Sequence, residues 1–132
     1  MKTIDILEVT GGAGCLGLTA ARGLLEHGLQ GLCIFDLQST FESEPSKSQI
    51  EALIQEFPNA KIIKHNVNVT DENNVEEAVM AAADALGGID ILLCFAGVVG
   101  CVHAEQTTAK EWRRVLDINT TGSWFCAQAV GK

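Results

Sequence analysis

The sequence predicts an α/β fold: a doubly wound parallel sheet in the strand order 3-2-1-4 with helices on both faces. Two observations lead there. Apolar, β-rich runs alternate with helical patterns in the string βαβαβαβα, and a glycine-rich turn joins the first run to the first helix.

The first strand is expected at residues 4–9, with Glu8 in its middle, where a strand buried on both faces calls for an apolar residue. In the helix that follows, Gly17, Ala20, Ala21, Leu24 and Leu25 fall at helical spacing, and Gly28 stops the pattern. Residues 32–35 make the second strand. Ser46 and Gln49 have capping-box spacing, Ile50, Leu53, Ile54 and Phe57 form an i, i+3, i+4, i+7 stripe, and Pro58 ends that helix. The third strand is expected at 61–65. A helix then starts near Asp71 and carries Val75, Ala78, Val79, Ala82 and Leu86 up to Gly87-Gly88. Residues 89–95 are a nearly continuous apolar run with Asp90 as the only charge, as an interior parallel strand requires. The last helix begins at Thr108, with Glu111 three residues on, and its pattern is still helical at Lys132.

Nine Lys and Arg against seventeen Asp and Glu leave a formal net charge of −8 over 132 residues. Without a basic surplus to displace counterions, nucleic acid is not an expected partner. The longest apolar stretch, residues 91–102, is too short and too glycine-rich for a bilayer span, which takes about 20 apolar residues, so no membrane partner is expected either. Asp5 and Glu8 interrupt the start of the chain, where a signal peptide would be apolar. Five cysteines (Cys15, Cys33, Cys94, Cys101, Cys126) form no C-x-x-C pair and suit free thiols in a reducing compartment, so the expected location is cytoplasmic.

Residues 10–17 read TGGAGCLG, and Gly12, Gly14 and Gly17 satisfy G-x-G-x-x-G between a strand and a helix. The glycines let the turn tighten and let a pyrophosphate approach backbone N–H groups at the positive end of the helix. Gly11 and Leu16 complete the loop as candidate cofactor contacts. Asp36 ends the second strand, 19 residues after Gly17. A carboxylate there accepts hydrogen bonds from the adenosine ribose and repels a 2′-phosphate. No Lys or Arg lies in the loop or just after Asp36, so the expected ligand of this Rossmann-like site is NAD(H) and not NADP. Taken alone, the loop also reads as an ordinary glycine-rich turn, and Asp36 as a loop cap.

With these motifs in place, the sequence resembles the single-domain branch of the short-chain dehydrogenases/reductases, over nearly the whole chain but only the first half of that fold. Thr10-Gly11 with Gly17 is similar to the family's nucleotide motif, and Asn68-Val69-Thr70-Asp71 to the D-V-T-D stretch that frames adenine. Ala96-Gly97 is similar to the end of N-N-A-G, and Trp112 with Asn119-Thr120-Thr121-Gly122 to the W…N-x-x-G pattern around the active-site Asn. The resemblance therefore implies Asn68, Val69, Ala96 and Gly97 as cofactor contacts and Asn119 as the one catalytic-tetrad member present. By the chain's own pattern, Asn119 also reads as a buried structural amide on a stripe with Val115, Gly122, Cys126 and Ala129.

Three departures stand out. Cys94 and Phe95 replace the two Asn of N-N-A-G, Asn68 replaces the usual Asp, and Glu8 stands in the most buried strand. The family's general acid/base is a Tyr activated by a Lys four residues later, beyond the helix that carries Asn119, and this chain contains no tyrosine. The expectation is thus an incomplete sheet over residues 1–132, a partial dinucleotide-binding domain that is catalytically inactive alone. Three readings stay open: the N-terminal portion of an NAD-dependent oxidoreductase, a non-catalytic nucleotide-binding or association module acting through the fourth strand and last helix, and a non-functional truncated product.

Overall fold

A computed structural model describes residues 6–132, so Ile4 and Asp5 of the expected first strand lie outside the described residues. The elements are β1 (Ile6–Thr10), α1 (Cys15–Glu26), β2 (Gly31–Asp36), α2 (Gln38–Glu42), α3 (Ser46–Glu56), β3 (Lys61–Asn66), α4 (Glu72–Leu86), β4 (Ile91–Cys94), α5 (Ala109–Leu116) and α6 (Ser123–Val130). A 3₁₀ turn precedes α5, and a π-helical segment, Asp117–Gly122, joins α5 to α6. The four strands pair in parallel in the order β3-β2-β1-β4, as the alternation predicts.

Period-two alternation divides the sheet between two cores. Leu7, Val9, Leu32 and Ile34 pack with Leu18, Ala21 and Leu25 of α1 and Ile50 and Leu53 of α3. On the other face, Cys33 and Phe35 pack with Val75, Ala78, Val79 and Ala82 of α4 and Cys126 of α6. Glu8 belongs to this second face, with Cys33 and Leu92 as its register partners.

The helix starts differ in how they are capped. Asp71 accepts from Asn74 N–H at 3.1 Å and Thr108 from Glu111 N–H at 3.1 Å, the N-caps their positions imply. The expected Ser46 capping box does not form. Ser46 is already the first residue of α3, behind Pro45, and it is Ser48 whose hydroxyl donates to the Glu44 carboxylate at 2.7 Å. Ile54 of the expected apolar stripe is 47% exposed.

Glu8 is the anomaly of the core. It is fully buried, and neither carboxylate oxygen has a hydrogen-bond partner among the described residues. Burial pushes its pKa up to about 8, so the carboxyl is protonated at neutral pH.

Candidate functional site

The loop after β1 turns at the point where β1's two neighbours leave in opposite directions, the usual place for a ligand in an open parallel sheet. Thr10 fastens this point: its carbonyl accepts from Phe95 N–H at 2.9 Å and its hydroxyl from Ala96 N–H at 3.4 Å. Gly11 has φ +63°, and a Cβ there would stand 2.6 Å from the Ala96 nitrogen, so only glycine fits. A Cβ on Gly17 would stand 2.6 Å from both Gly11 O and Gly12 Cα, which is how closely α1 packs on the loop.

The loop uses several of its own amides. Gly12 N–H donates to Phe35 O at 3.2 Å, Ala13 N–H to Asp36 Oδ2 at 3.1 Å, and Gly14 N–H to Gly11 O at 3.1 Å. The first helical bond of α1 is Leu18 N–H to Gly14 O at 2.9 Å. Among the described residues, the N–H groups of Cys15, Leu16 and Gly17 therefore find no acceptor at the positive end of α1, where donors can meet a phosphate. The Leu16 side chain is 70% exposed.

A cleft of about 330 Å³ opens beside the loop, and Gly11, Gly14, Asp36, Asn68, Val69, Ala96 and Gly97 all line it. Gly12, Leu16 and Gly17 do not. Leu37 and Ile118 add apolar walls that no motif singled out, although they directly follow Asp36 and directly precede Asn119. The Asp36 carboxylate accepts from Ala13 N–H and, at 2.8 Å, from Leu37 N–H, so it is held at the cleft edge with lone pairs to spare. Asn68 Oδ1 accepts from Thr70 N–H at 3.1 Å and Thr70 Oγ1 at 2.8 Å. The acceptor that Asn shares with Asp is thus used internally, and what Asn68 has left for a ligand is its NH₂ group.

Asn119 lies in the π-helical segment. Its Oδ1 accepts from Val98 N–H at 2.8 Å and its Nδ2 donates to Val98 O at 2.9 Å. The side chain is exposed, which corrects the reading of a buried amide, while Gly122 and Cys126 of the same stripe are buried. Gly122 lies against Val69, since a Cβ there would meet Val69 Cγ2 at 2.6 Å. The segment that carries Asn119 is therefore seated on one wall of the cleft.

The model of the family described as short chain dehydrogenase matches residues 5–132. The chain belongs to the short-chain dehydrogenase family. An NADP-dependent mannitol dehydrogenase of Hypocrea jecorina is 32% identical over 130 residues, covering 96% of this chain and 46% of that protein. The crystal structure of levodione reductase superposes with a TM-score of 0.84 at 28% identity, over 98% of this chain and 49% of the other. NAD⁺-bound xylitol dehydrogenase gives a TM-score of 0.83 at 27% identity, over 98% and 48%. The chain thus spans about half the length of the relatives it matches.

As a short-chain dehydrogenase sequence it departs from pattern at Cys94, where the family's Asn would brace the sheet. The Cys94 thiol lies beside the side chains of Thr10 and Ser123. Burial is the main cause that raises its pKa, and Cys94 is no ready thiolate.

Proposed function

We propose that the chain binds NAD(H) by its adenosine half and forms the cofactor-holding, N-terminal portion of an oxidoreductase. Bound nicotinamide supplies hydride transfer to or from an alcohol or carbonyl. The chain's own residues bind and orient: the amides of Cys15, Leu16 and Gly17 meet the pyrophosphate, and Asp36 accepts from the ribose hydroxyls. Leu37 and Ile118 enclose the adenine, whose ring nitrogens accept from Asn68 Nδ2, while Val69, Ala96 and Gly97 complete the wall. The observation that carries NAD over NADP is the Asp36 carboxylate, fixed at the cleft edge by two backbone donors with no cation in the loop beside it.

Asn119 is the tetrad member in this reading, holding the Val98 backbone at the end of the cleft. It has no proton to exchange near neutral pH, and these 132 residues hold no tyrosine. The chain alone is therefore a binding unit without turnover. Its five free cysteines suit a reducing, cytoplasmic setting.

A second observation favours an additional association role. Among the described residues strand β4 pairs only with β1 and stands at the end of the sheet, and Phe95, Trp112, Leu116 and Trp124 are 41–61% exposed. An unpaired strand edge with exposed apolar groups invites another polypeptide, either a second copy or a different chain.

Calorimetric titration with NAD and NADP tests the cofactor reading. NAD is expected to bind more tightly, and Asp36→Ala to narrow the difference. Tighter binding of NADP to the unmodified chain overturns it. No change in nicotinamide absorbance is expected with any alcohol or carbonyl, and turnover free of host enzymes contradicts the binding-unit reading.

A further inference from the structure

We propose that the pocket between α5 and the adenosine cleft is an anion subsite, which takes a phosphate-class group beside the adenosine end of the bound nucleotide. The inference rests on the reading of the cleft as an adenosine site and extends it to a neighbouring volume that no nucleotide motif describes.

The pocket, about 580 Å³, shares Leu37, Asn68 and Ile118 with the cleft, so the two spaces meet across the residues that enclose the base. Its outer wall is one face of the last long helical stretch. Lys110, Arg113, Arg114 and Asp117 recur at i, i+3, i+4 and i+7 and all line it. A charged face on a helix is ordinarily a solvated one. Here too all four side chains are exposed, and the face borders an open groove whose other side is Leu37, Asn68 and Ile118.

Charge distinguishes the pocket from the rest of the molecule. The chain carries a net −8, yet three of its nine Lys and Arg line this one space. Of the other cations, Arg22 pairs with Glu56, Lys132 with Glu76 and Lys61 with the Ala85 carbonyl, Lys64 lies over the Phe41 ring, and Lys47 and Lys64 line a separate pocket beside Glu42 and Glu51. Arg114 is held by Glu111 through two hydrogen bonds of 2.9 and 2.7 Å. Among the described residues Lys110 and Arg113 make no ion pair and no side-chain hydrogen bond. Lys110 also sits in the first turn of α5, where the helix dipole favours an acid, so its charge adds to the positive helix end.

A guanidinium fork and an ammonium with all donors unspent match a phosphate oxygen set. Asp117 opposes them. Its carboxylate repels an anion, which gives the subsite a residue whose neutralisation acts in the opposite direction from removal of the cations. Two sources of the phosphate share this chemistry: a second phosphate on the nucleotide, or a separate phosphorylated molecule bound beside it.

The test follows backbone amide shifts of the 132-residue chain with inorganic phosphate, against chloride at matched ionic strength, without and with 5′-AMP. Saturable shifts are expected at Thr70, Lys110 and Arg113 with phosphate and not with chloride. K110A/R113A should weaken phosphate binding by about tenfold or more, and Asp117→Asn should tighten it. If adenosine 3′,5′-bisphosphate binds more tightly than 5′-AMP, by a margin lost in K110A/R113A, the phosphate belongs to the nucleotide. If inorganic phosphate binds with 5′-AMP in place and the bisphosphate gains nothing, it belongs to a separate molecule. Shifts equal in chloride, or phosphate affinity unchanged in K110A/R113A, overturn the inference. Failure of 5′-AMP to shift Gly14, Asp36 and Asn68 counts against the adenosine cleft alone, because the phosphate titration still decides the subsite.

Discussion

Replacing Glu8 with Gln should remove a large pH dependence from the stability of this fold. In the folded chain burial raises the carboxyl from its ordinary 4.5 to about 8, and among the described residues no cation offsets it. The groups from the neighbouring elements are thiols: Cys33 on β2, Cys94 on β4 and Cys126 on α6, with α4 presenting Val75, Ala78, Val79 and Ala82. Burial holds these thiols up as well, Cys126 to about 12, so they stay neutral. Because the folded value is the higher one, the folded state keeps a proton that the unfolded state releases. The stability linked to Glu8 is fully present below about pH 4.5 and is lost as pH rises to about 8. At about 1.4 kcal/mol per pH unit, the loss is roughly 5 kcal/mol across that window and roughly 3 kcal/mol by pH 7. That is a large share of the stability of any small domain. Gln has the same shape and no proton to lose. Urea unfolding followed by circular dichroism at about pH 5 and pH 8 should therefore show a steep decline for the unmodified chain and a shallow one for Glu8→Gln. Equal slopes for the two proteins would refute the account of a buried, unpartnered carboxyl.

The two loop glycines should separate fold from ligand. Gly17→Ala places a methyl 2.6 Å from the backbone of Gly11 and Gly12 and should cost about 1–3 kcal/mol in urea unfolding, whereas Gly14→Ala meets only Gly11 O at 3.2 Å and should unfold almost as the unmodified chain does. Gly14→Val should instead weaken NAD and NADP alike in calorimetry, because its side chain enters the cleft. Asn119→Ala deletes both bonds to Val98 and should raise amide exchange around residues 97–100 without unfolding the chain. The open edge of β4 should cause self-association in sedimentation at micromolar concentration, and a stable, soluble monomer would count against the proposed association role.

Topology was legible in the sequence because each strand is a run of β-forming residues set off by glycine, proline or a capping residue. What was not legible depends on geometry that leaves little compositional trace. The five residues of α2 are too few for a period, and the π segment at 117–122 reads as ordinary helix. That segment carries Asn119 to the Val98 backbone, so a stripe drawn at regular helical spacing places it in the core when it is exposed. The capping-box spacing of Ser46 and Gln49 misled because Pro45 occupies the cap and Glu44 reaches forward to Ser48 instead.

At the site, Gly11 and Gly17 were readable because backbone within 2.6 Å excludes any side chain, and Asp36 because strand ends place carboxylates at the cleft edge. Leu37 and Ile118 were not, since an apolar wall looks like any core residue until its surroundings are known. Asn68 lines the cleft, but its side-chain oxygen is taken by Thr70, which a motif match does not show. Glu8 stands out in the sequence as a charge in an apolar strand, and among the described residues nothing hydrogen-bonds its carboxyl.

These residues are proposed to hold the adenosine half of a dinucleotide. The most direct measurement maps amide shifts of the chain with 5′-AMP, NAD and nicotinamide mononucleotide in turn. Saturable shifts at Cys15, Leu16, Gly17, Asp36 and Asn68 with 5′-AMP and NAD, and none with the mononucleotide, are the expected result. Shifts with the mononucleotide at these residues, or no response to 5′-AMP and NAD, would contradict it.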